Sequence, residues 1–528
     1  MFEQAVIINN ETHHDAAVAY IYEDKIKTVL EYERVSRFKH SEFQNIDIDK
    51  TLIQFGIDED MYLDVIDKTQ KFKYNNHHEM HALGTFLSSG YNESCILVVD
   101  GSGDLNDSVT LFYGKCRDIK EIKKFDVQFS LGAMYAAASH IVYQTPNCEG
   151  KFMGLSCCSE PETTIPSPIQ YDENGNVCCL YEYHGIDTLT NDISQYIFDN
   201  FPYLFNENNE ILNIDIYKAK LAATVQFWFT EQIINLTKYL KNLYPDVENL
   251  CLAGGCFLNC ETNGVLDRAK LFRNIYSLPA PADNGIIFGK IQQLLPDSVK
   301  IDTAYWGPEK DENLNELKDI FYIHKTEKGL ETEIDCVKNV FEYNEKDIID
   351  RLKQNKIILW FDGKSEFGPR ALGHRSFLAN PMSKEAFINL SINIKKRENY
   401  RPLAPITIDK LYTKIFEDDN PENLTQFMLK TVKIKKEWQT RLKAVTHINQ
   451  TARPQRLIKD VNPVLYSLIE NWYQESGVPC LINTSLNLKN QPLVETYNDL
   501  IALFVNNHDL LQNNACVVVN HCLCFDID

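Results

Sequence analysis

The feature that most constrains the fold is a strand layout that occurs twice. In the first copy, apolar runs at Ala5–Asn9 and Ala16–Tyr22 lead through a turn at Glu23-Asp24-Lys25 into a third run, Ile26–Glu31. The second copy begins at Cys95–Val99, turns through Asp100-Gly101-Ser102-Gly103-Asp104, continues as Ser108–Tyr113 and resumes at Glu121–Phe125. Each copy sets an acidic residue near the turn between its first two strands.

Such a duplicated hairpin predicts an actin-like ATPase (sugar-kinase-like) α/β domain. Apolar residues three and four apart over Tyr217–Tyr239 predict a helix. A strand at Leu250–Leu252, a Gly-Gly turn and a helix from Leu258 continue the α/β pattern. The stretch Pro308–Asn315 is polar, and a second composition starts near Phe341. The expected division is therefore residues 1–305, a linker over 306–340, and a second α/β domain over 341–528.

Composition excludes several classes. With 44% apolar and 24% charged residues the chain is not a disordered one. No run approaches the roughly 18 apolar residues of a membrane span, and the start lacks a basic leader region, so a cytoplasmic enzyme is expected. The 15 cysteines include no CxxC pair, which disfavours zinc ribbons and thioredoxin-like motifs. A net charge of −21 argues against broad binding to a nucleic-acid backbone.

His77 and His81 stand four residues apart, so on a helix they share one face, with Asn75 or Asn76 as its cap. Two imidazoles so placed can share a divalent metal, or they are simply surface histidines. Asp100 and Asp283, each just before a glycine-containing turn, are candidates for the remaining ligands. His14, in His13-His14-Asp15 at the first hairpin turn, is either a general base or a turn histidine paired with Asp15.

Several segments suit anions. Gly254 and Gly255 follow a strand, with Asn259 at the start of the next helix, an arrangement that lets backbone N–H groups approach a phosphate. Glu149–Gly154 is a second glycine-spaced segment, whose Lys151 and Gly154 either meet a phosphate or form a solvated turn. In the second half, basic clusters sit among glycines and prolines: Arg370 in Gly368–Ser376, Lys395 to Arg397 with Arg401, and Arg453 with Arg456. Arginine forks match phosphate and carboxylate oxygens. Lys433–Lys436 reads instead as a solvated face. Asn483, Ser485 and Asn487 follow the strand-like Val478–Ile482 and offer amide and hydroxyl groups.

Taken in order, these segments resemble the O-carbamoyltransferases of nodulation-factor and antibiotic biosynthesis. The resemblance rests on His14-Asp15-Ala16, Tyr32–Arg37, His77–Ala82, Val99–Gly103, Lys151–Leu155, Leu252–Gly264, Asp283–Gly285, Glu366–Ser376, Lys395–Pro405, Thr451–Gln455 and Asn483–Asn487. It implies an actin-like first domain and a YrdC-like second domain that forms an acyl adenylate. It further implies that His77, His81, Asp100 and Asp283 hold the metal and that His14 is the base for an acceptor hydroxyl. Lys395, Arg397, Ser485 and Asn487 match the family's KxR and SxN elements, and Arg401 and Arg453 its further anion-binding arginines. The departures are His13 before His14, Cys256-Phe257 in place of small residues, and Ser156-Cys157-Cys158; they bear on the shape of the acceptor or adenylate pocket.

The expected reaction is activation of carbamoyl phosphate with ATP to carbamoyl adenylate, then transfer to a hydroxyl, with Fe(II), Mn or Zn as the metal. A small molecule, sugar or free nucleotide is the expected acceptor, a nucleic acid is not favoured, and a homodimer is allowed. A tRNA threonylcarbamoyl-transferase, an actin-like-fold kinase, a hydrogenase-maturation carbamoyltransferase and a non-enzymatic binding protein are the rival readings.

Overall fold

The computed structural model describes residues 4–9, 15–40, 51, 64–66, 72–206, 215–309, 337–398, 400–418, 421 and 423–527. His13 and His14 lie outside the described residues.

The first sheet holds β1 (Gln4–Asn9), β2 (Ala17–Tyr22), β3 (Lys25–Glu31) and β4 (Asp64–Ile66) in the order β3-β2-β1-β4. β1 and β2 pair antiparallel, as do β2 and β3, whereas β4 runs parallel to β1. The second sheet repeats this plan with β5 (Glu93–Val99), β6 (Asp107–Lys115), β7 (Asp118–Asp126), β10 (Asn249–Ala253) and β11 (Asn274–Ser277), in the order β11-β10-β5-β6-β7. Again the first three strands form an antiparallel meander, and β10 and β11 continue parallel from β5. The shared order is the duplicated topology of an actin-like domain. β5, with Ser94–Val99 all buried, has the near-continuous apolar run of a strand covered on both faces. The small hairpin of β8 (Ile169–Tyr171) and β9 (Val177–Cys179) lies outside both sheets.

The second part is an α/β unit built on one mixed eight-stranded sheet. Its strands are β12 (Val337–Glu342), β13 (Ile357–Phe361), β14 (Arg375–Ala379), β15 (Ala404–Ile408), β18 (Gln455–Leu457), β19 (Leu481–Ser485), β20 (Ala515–Val519) and β21 (Leu523–Ile527), ordered β12-β21-β20-β13-β14-β19-β15-β18. A separate pair joins β16 (Val432–Lys433) to β17 (Thr451–Ala452). β13 and β20, every residue buried, form the centre of this core.

The two parts meet closely. Val29 N–H donates to Trp306 O at 2.7 Å, Phe367 N–H to Ala304 O at 2.7 Å, and Gly307 N–H to Ser365 O at 3.0 Å. Among the described residues no helix is long and apolar enough to cross a membrane.

Some local expectations are corrected. Glu149–Ser156 is a helix, so Lys151 and Gly154 stand on a helix and not in a glycine loop or turn. A short 3-10 turn, Gly255–Leu258, precedes the helix, which begins at Cys260. The strand after Val478 starts at Leu481 and runs on through Asn483, Thr484 and Ser485. It runs on because Asn483 and Ser485 find ladder partners in Leu378 and Ser376 of β14.

Candidate functional site

Helix His77–Ser89 starts where the sequence offers a cap. Asn76 Oδ1 accepts from Glu79 N at 2.8 Å, and Glu79 Oε2 accepts from Asn76 N at 3.3 Å, a reciprocal capping box. Asp104 adds an acceptor for His77 N at 3.1 Å. The helix crosses helix Ile287–Leu294 through two glycines. A Cβ on Gly84 would lie 2.7 Å from Gly289 N, and one on Gly289 would lie 2.4 Å from Met80 O. That close approach brings His77 and His81 to the turn opened by Asp283, at the start of the second helix. Asp100 arrives from the other side, directly after β5.

Four side chains therefore converge, and their ligand atoms all lie within 4.8 Å of one another. His77 Nε2 is 3.6 Å from Asp100 Oδ2 and 3.5 Å from Asp283 Oδ1; His81 Nε2 is 3.4 Å and 3.5 Å from the same two atoms. These separations are long for hydrogen bonds. They match the roughly 3.4 Å between two ligands that share an ion at about 2.1 Å in tetrahedral geometry. Both Nε2 atoms are buried with no hydrogen-bond partner, a costly state that a cation removes. The donor set thus fits a divalent metal. In its absence burial would depress the His77 imidazole, but the carboxylates of Asp100 and Asp283 outweigh it and hold the group up to about 9. A metal would displace that proton. Neighbouring His78 is different: burial pushes it down to about 3, and its Nδ1 lies 2.7 Å from Thr110 Oγ1.

The Gly254-Gly255 turn serves this group. Gly254 has φ +97°, and a Cβ there would lie 2.2 Å from Val99 O, so only glycine lets the turn pass the end of β5. Gly255 N–H then points at Asp100 Oδ2, 3.4 Å away.

The second cluster surrounds Lys395, which leaves a π-helical turn, Ile388–Ile394, of the kind that often marks functional sites. Lys395 Nζ donates to Ser485 Oγ at 3.1 Å, Asn487 O at 2.7 Å and Asn487 Oδ1 at 2.7 Å, and also to Ser485 O. Burial, then the charges of Arg397 and Lys39, hold its amine well below the ordinary lysine range. Arg397 Nη2 donates to Thr484 Oγ1 at 2.9 Å. Burial, then Arg401 and Arg453, push Arg397 down to about 9, and burial with Arg453 does the same to Arg370. Arg370 Nε is buried without a hydrogen-bond partner. Cations that depress one another, with Glu398 as the carboxylate facing Arg401 at 3.2 Å, form a pocket short of negative charge.

Residues 51–290 match the carbamoyltransferase N-terminus and residues 349–521 the carbamoyltransferase C-terminus. The chain belongs to the carbamoyltransferase family. This carbamoyltransferase is 27% identical to nodulation protein NolO of Bradyrhizobium diazoefficiens, over 81% of this chain and 76% of that protein. It is 25% identical to nodulation protein NolNO of Sinorhizobium fredii, over 95% and 78%. An uncharacterized protein of Methanocaldococcus jannaschii is 28% identical over 93% of this chain and 95% of its own length. Among solved structures, full-length HypF in a phosphate- and nucleotide-bound form aligns at TM-score 0.30 and 14% identity, covering 56% of each chain.

In this carbamoyltransferase the remaining sequence candidates divide by surroundings. Lys151 faces Glu398 at 3.9 Å, and a Cβ on Gly154 would touch Arg401 Cγ at 3.4 Å, so both stand at the rim of the arginine cluster. Asn259 caps its helix and exchanges hydrogen bonds with Gln226. Asn483 donates to Ala371 O at 3.1 Å and Gln455 Oε1 at 2.7 Å, behind the cluster. Three interactions were not foreseen from the sequence. Asp15, beside His14, lies 2.9 Å from His40 Nδ1, an interaction that raises the His40 imidazole. Lys39 is depressed by burial and sits in the field of both Arg34 and Arg370. Tyr400 OH meets Tyr143 OH at 2.7 Å across the two parts. Lys39 and His40 stand two and three residues beyond the Tyr32–Arg37 motif, which is the signal that marks them.

Proposed function

We propose that the chain catalyses a two-step, ATP-dependent O-carbamoylation. The observation that carries this reading is the pairing of two unlike sites in one chain. One is a histidine–carboxylate group whose Nε2 atoms lack hydrogen-bond partners; the other is a cation cluster around a buried, depressed lysine.

In the YrdC-like second part, Lys395, Arg370, Arg397, Arg401 and Arg453 would neutralise the triphosphate of ATP and the phosphate of carbamoyl phosphate. Holding both reactants supplies proximity and charge neutralisation. Water first cleaves carbamoyl phosphate, so that phosphate leaves and carbamate remains. A carbamate oxygen then attacks the α-phosphorus of ATP, the bond from that phosphorus to the bridging β-phosphate oxygen breaks, and pyrophosphate leaves. Ser485 and Asn487 hold the Lys395 amine in place for that step.

In the first part, His14 would take the proton of the acceptor hydroxyl as its oxygen attacks the carbamoyl carbon and AMP leaves. A divalent ion held by His77, His81, Asp100 and Asp283, whether Fe(II), Mn(II) or Zn(II), supplies Lewis acidity and a template. The acceptor is a small molecule, sugar or free nucleotide in the cytoplasm; the net charge of −21 disfavours a polyanionic nucleic acid.

The test is pyrophosphate release from ATP with and without carbamoyl phosphate, in the native chain and Lys395→Ala. The reading expects release that depends on carbamoyl phosphate and is abolished by the substitution. Carbamoyl-phosphate-independent turnover to ADP would contradict it.

A further inference from the structure

A single carboxylate touches the scaffolds of both sites. Glu31 ends β3, and Arg34 follows in the short helix Tyr32–Ser36. The two side chains form a buried pair, Nη2 to Oε2 at 2.5 Å, with side-chain exposures of 1% for Arg34 and 8% for Glu31. The other oxygen, Glu31 Oε1, accepts from Asn284 Nδ2 at 2.5 Å, and Asn284 is the neighbour of the ligand Asp283. On the opposite side, Gly368 N–H donates to Glu31 Oε2 at 3.3 Å and Arg34 Nη2 donates to Gly368 O at 3.0 Å. Gly368 begins the segment that carries Arg370. It has φ +112°, and a Cβ would lie 2.7 Å from Pro279 O, so the segment is also pressed onto the chain that leads to Asp283.

The pair is poorly built for stability alone. Arg34 Nη1 is buried without a hydrogen-bond partner, and Nε has only Glu33 Oε1 at 3.6 Å, too long for a hydrogen bond. Buried ion pairs are often matched or bettered by apolar residues of similar volume. What apolar residues do not supply is directional contact with the backbone N–H and C=O of Gly368 and with the Asn284 amide at once.

We propose that Glu31 and Arg34 are positioning residues that hold the Asp283 turn and the Arg370 segment in register, so that the activated carbamoyl group passes between the sites without meeting water. This rests on the two-step reading above. When register is lost, water attacks the carbamoyl carbon and its bond to the AMP phosphate oxygen breaks. AMP leaves, and the carbamate falls apart to carbon dioxide and ammonia.

The test needs no acceptor. The full chain, loaded with metal, is given ATP and carbamoyl phosphate alone, and pyrophosphate, AMP and ammonia are followed. The native chain is expected to release pyrophosphate in a burst near the enzyme concentration and then slow. Arg34→Lys and Glu31→Gln are expected to continue past the burst, with ammonia release about a hundredfold faster, a size known for small misplacements. Glu31→Leu with Arg34→Leu controls for folding: it should melt no lower than the native chain yet leak in the same way. Native-like bursts in these folded variants would overturn the positioning role while leaving the two-step reading intact. Absence of any carbamoyl-phosphate-dependent pyrophosphate from the native chain would overturn both.

Discussion

His81 Nε2 and Asp283 Oδ1 stand 3.5 Å apart, brought together by a helix crossing that only glycines permit. Removing either kind of side chain should abolish metal binding at the proposed centre. His77→Ala and Asp283→Ala are expected to lose bound metal and acceptor carbamoylation, while carbamoyl-phosphate-dependent pyrophosphate release survives. Metal content by mass spectrometry checks this, and full occupancy in both variants would remove these residues from the ligand set.

The crossing itself is testable. Gly289→Ala places a methyl carbon where Met80 O lies at 2.4 Å. The backbone must move, at a cost of about 1–3 kcal/mol for an overpacked core. Denaturant unfolding should show that loss, together with weaker metal retention. Unchanged stability would mean that the helices separate freely.

Lys395 gives a pH prediction with a definite sign. Its folded pKa lies well below 10.5, so over that window the unfolded chain binds more protons. Stability without ligand should therefore rise with pH. A bound polyanion favours the charged amine, so pyrophosphate should bind tighter as pH falls and should flatten the stability profile. Melting temperature against pH, with and without pyrophosphate, reads both effects, and Lys395→Met should abolish them.

His14→Asn should keep the metal and still form carbamoyl adenylate. Transfer to an acceptor should slow by roughly 10²–10⁴. The defect should shrink at high pH, where the hydroxyl needs less help. Single-turnover transfer from preformed adenylate measures it, and a normal rate would leave His13 or His40 as the candidate base.

The strand duplication was readable because β1 to β3 and β5 to β7 alternate apolar runs with strong turn residues, each within a short window. The histidine spacing and the Asn76 cap were readable for the same reason: both are local. Asp100 and Asp283 could be named only as candidates, because their meeting depends on Gly84, Gly254 and Gly289, which sequence shows merely as glycines. The Lys151–Gly154 segment misled because glycine spacing alone does not distinguish a loop from a helix packed against Arg401. The roles of Glu31 and Arg34 were invisible, since their partners, Asn284 and Gly368, lie far along the chain.

The most direct measurement of the central claim uses carbamoyl phosphate labelled at its carbonyl carbon. The native chain is mixed with it and with ATP, quenched within one turnover, and the nucleotide products are weighed by mass spectrometry. The account predicts labelled carbamoyl adenylate with one equivalent of pyrophosphate, and its absence in Lys395→Ala. ADP in place of carbamoyl adenylate and pyrophosphate would contradict it.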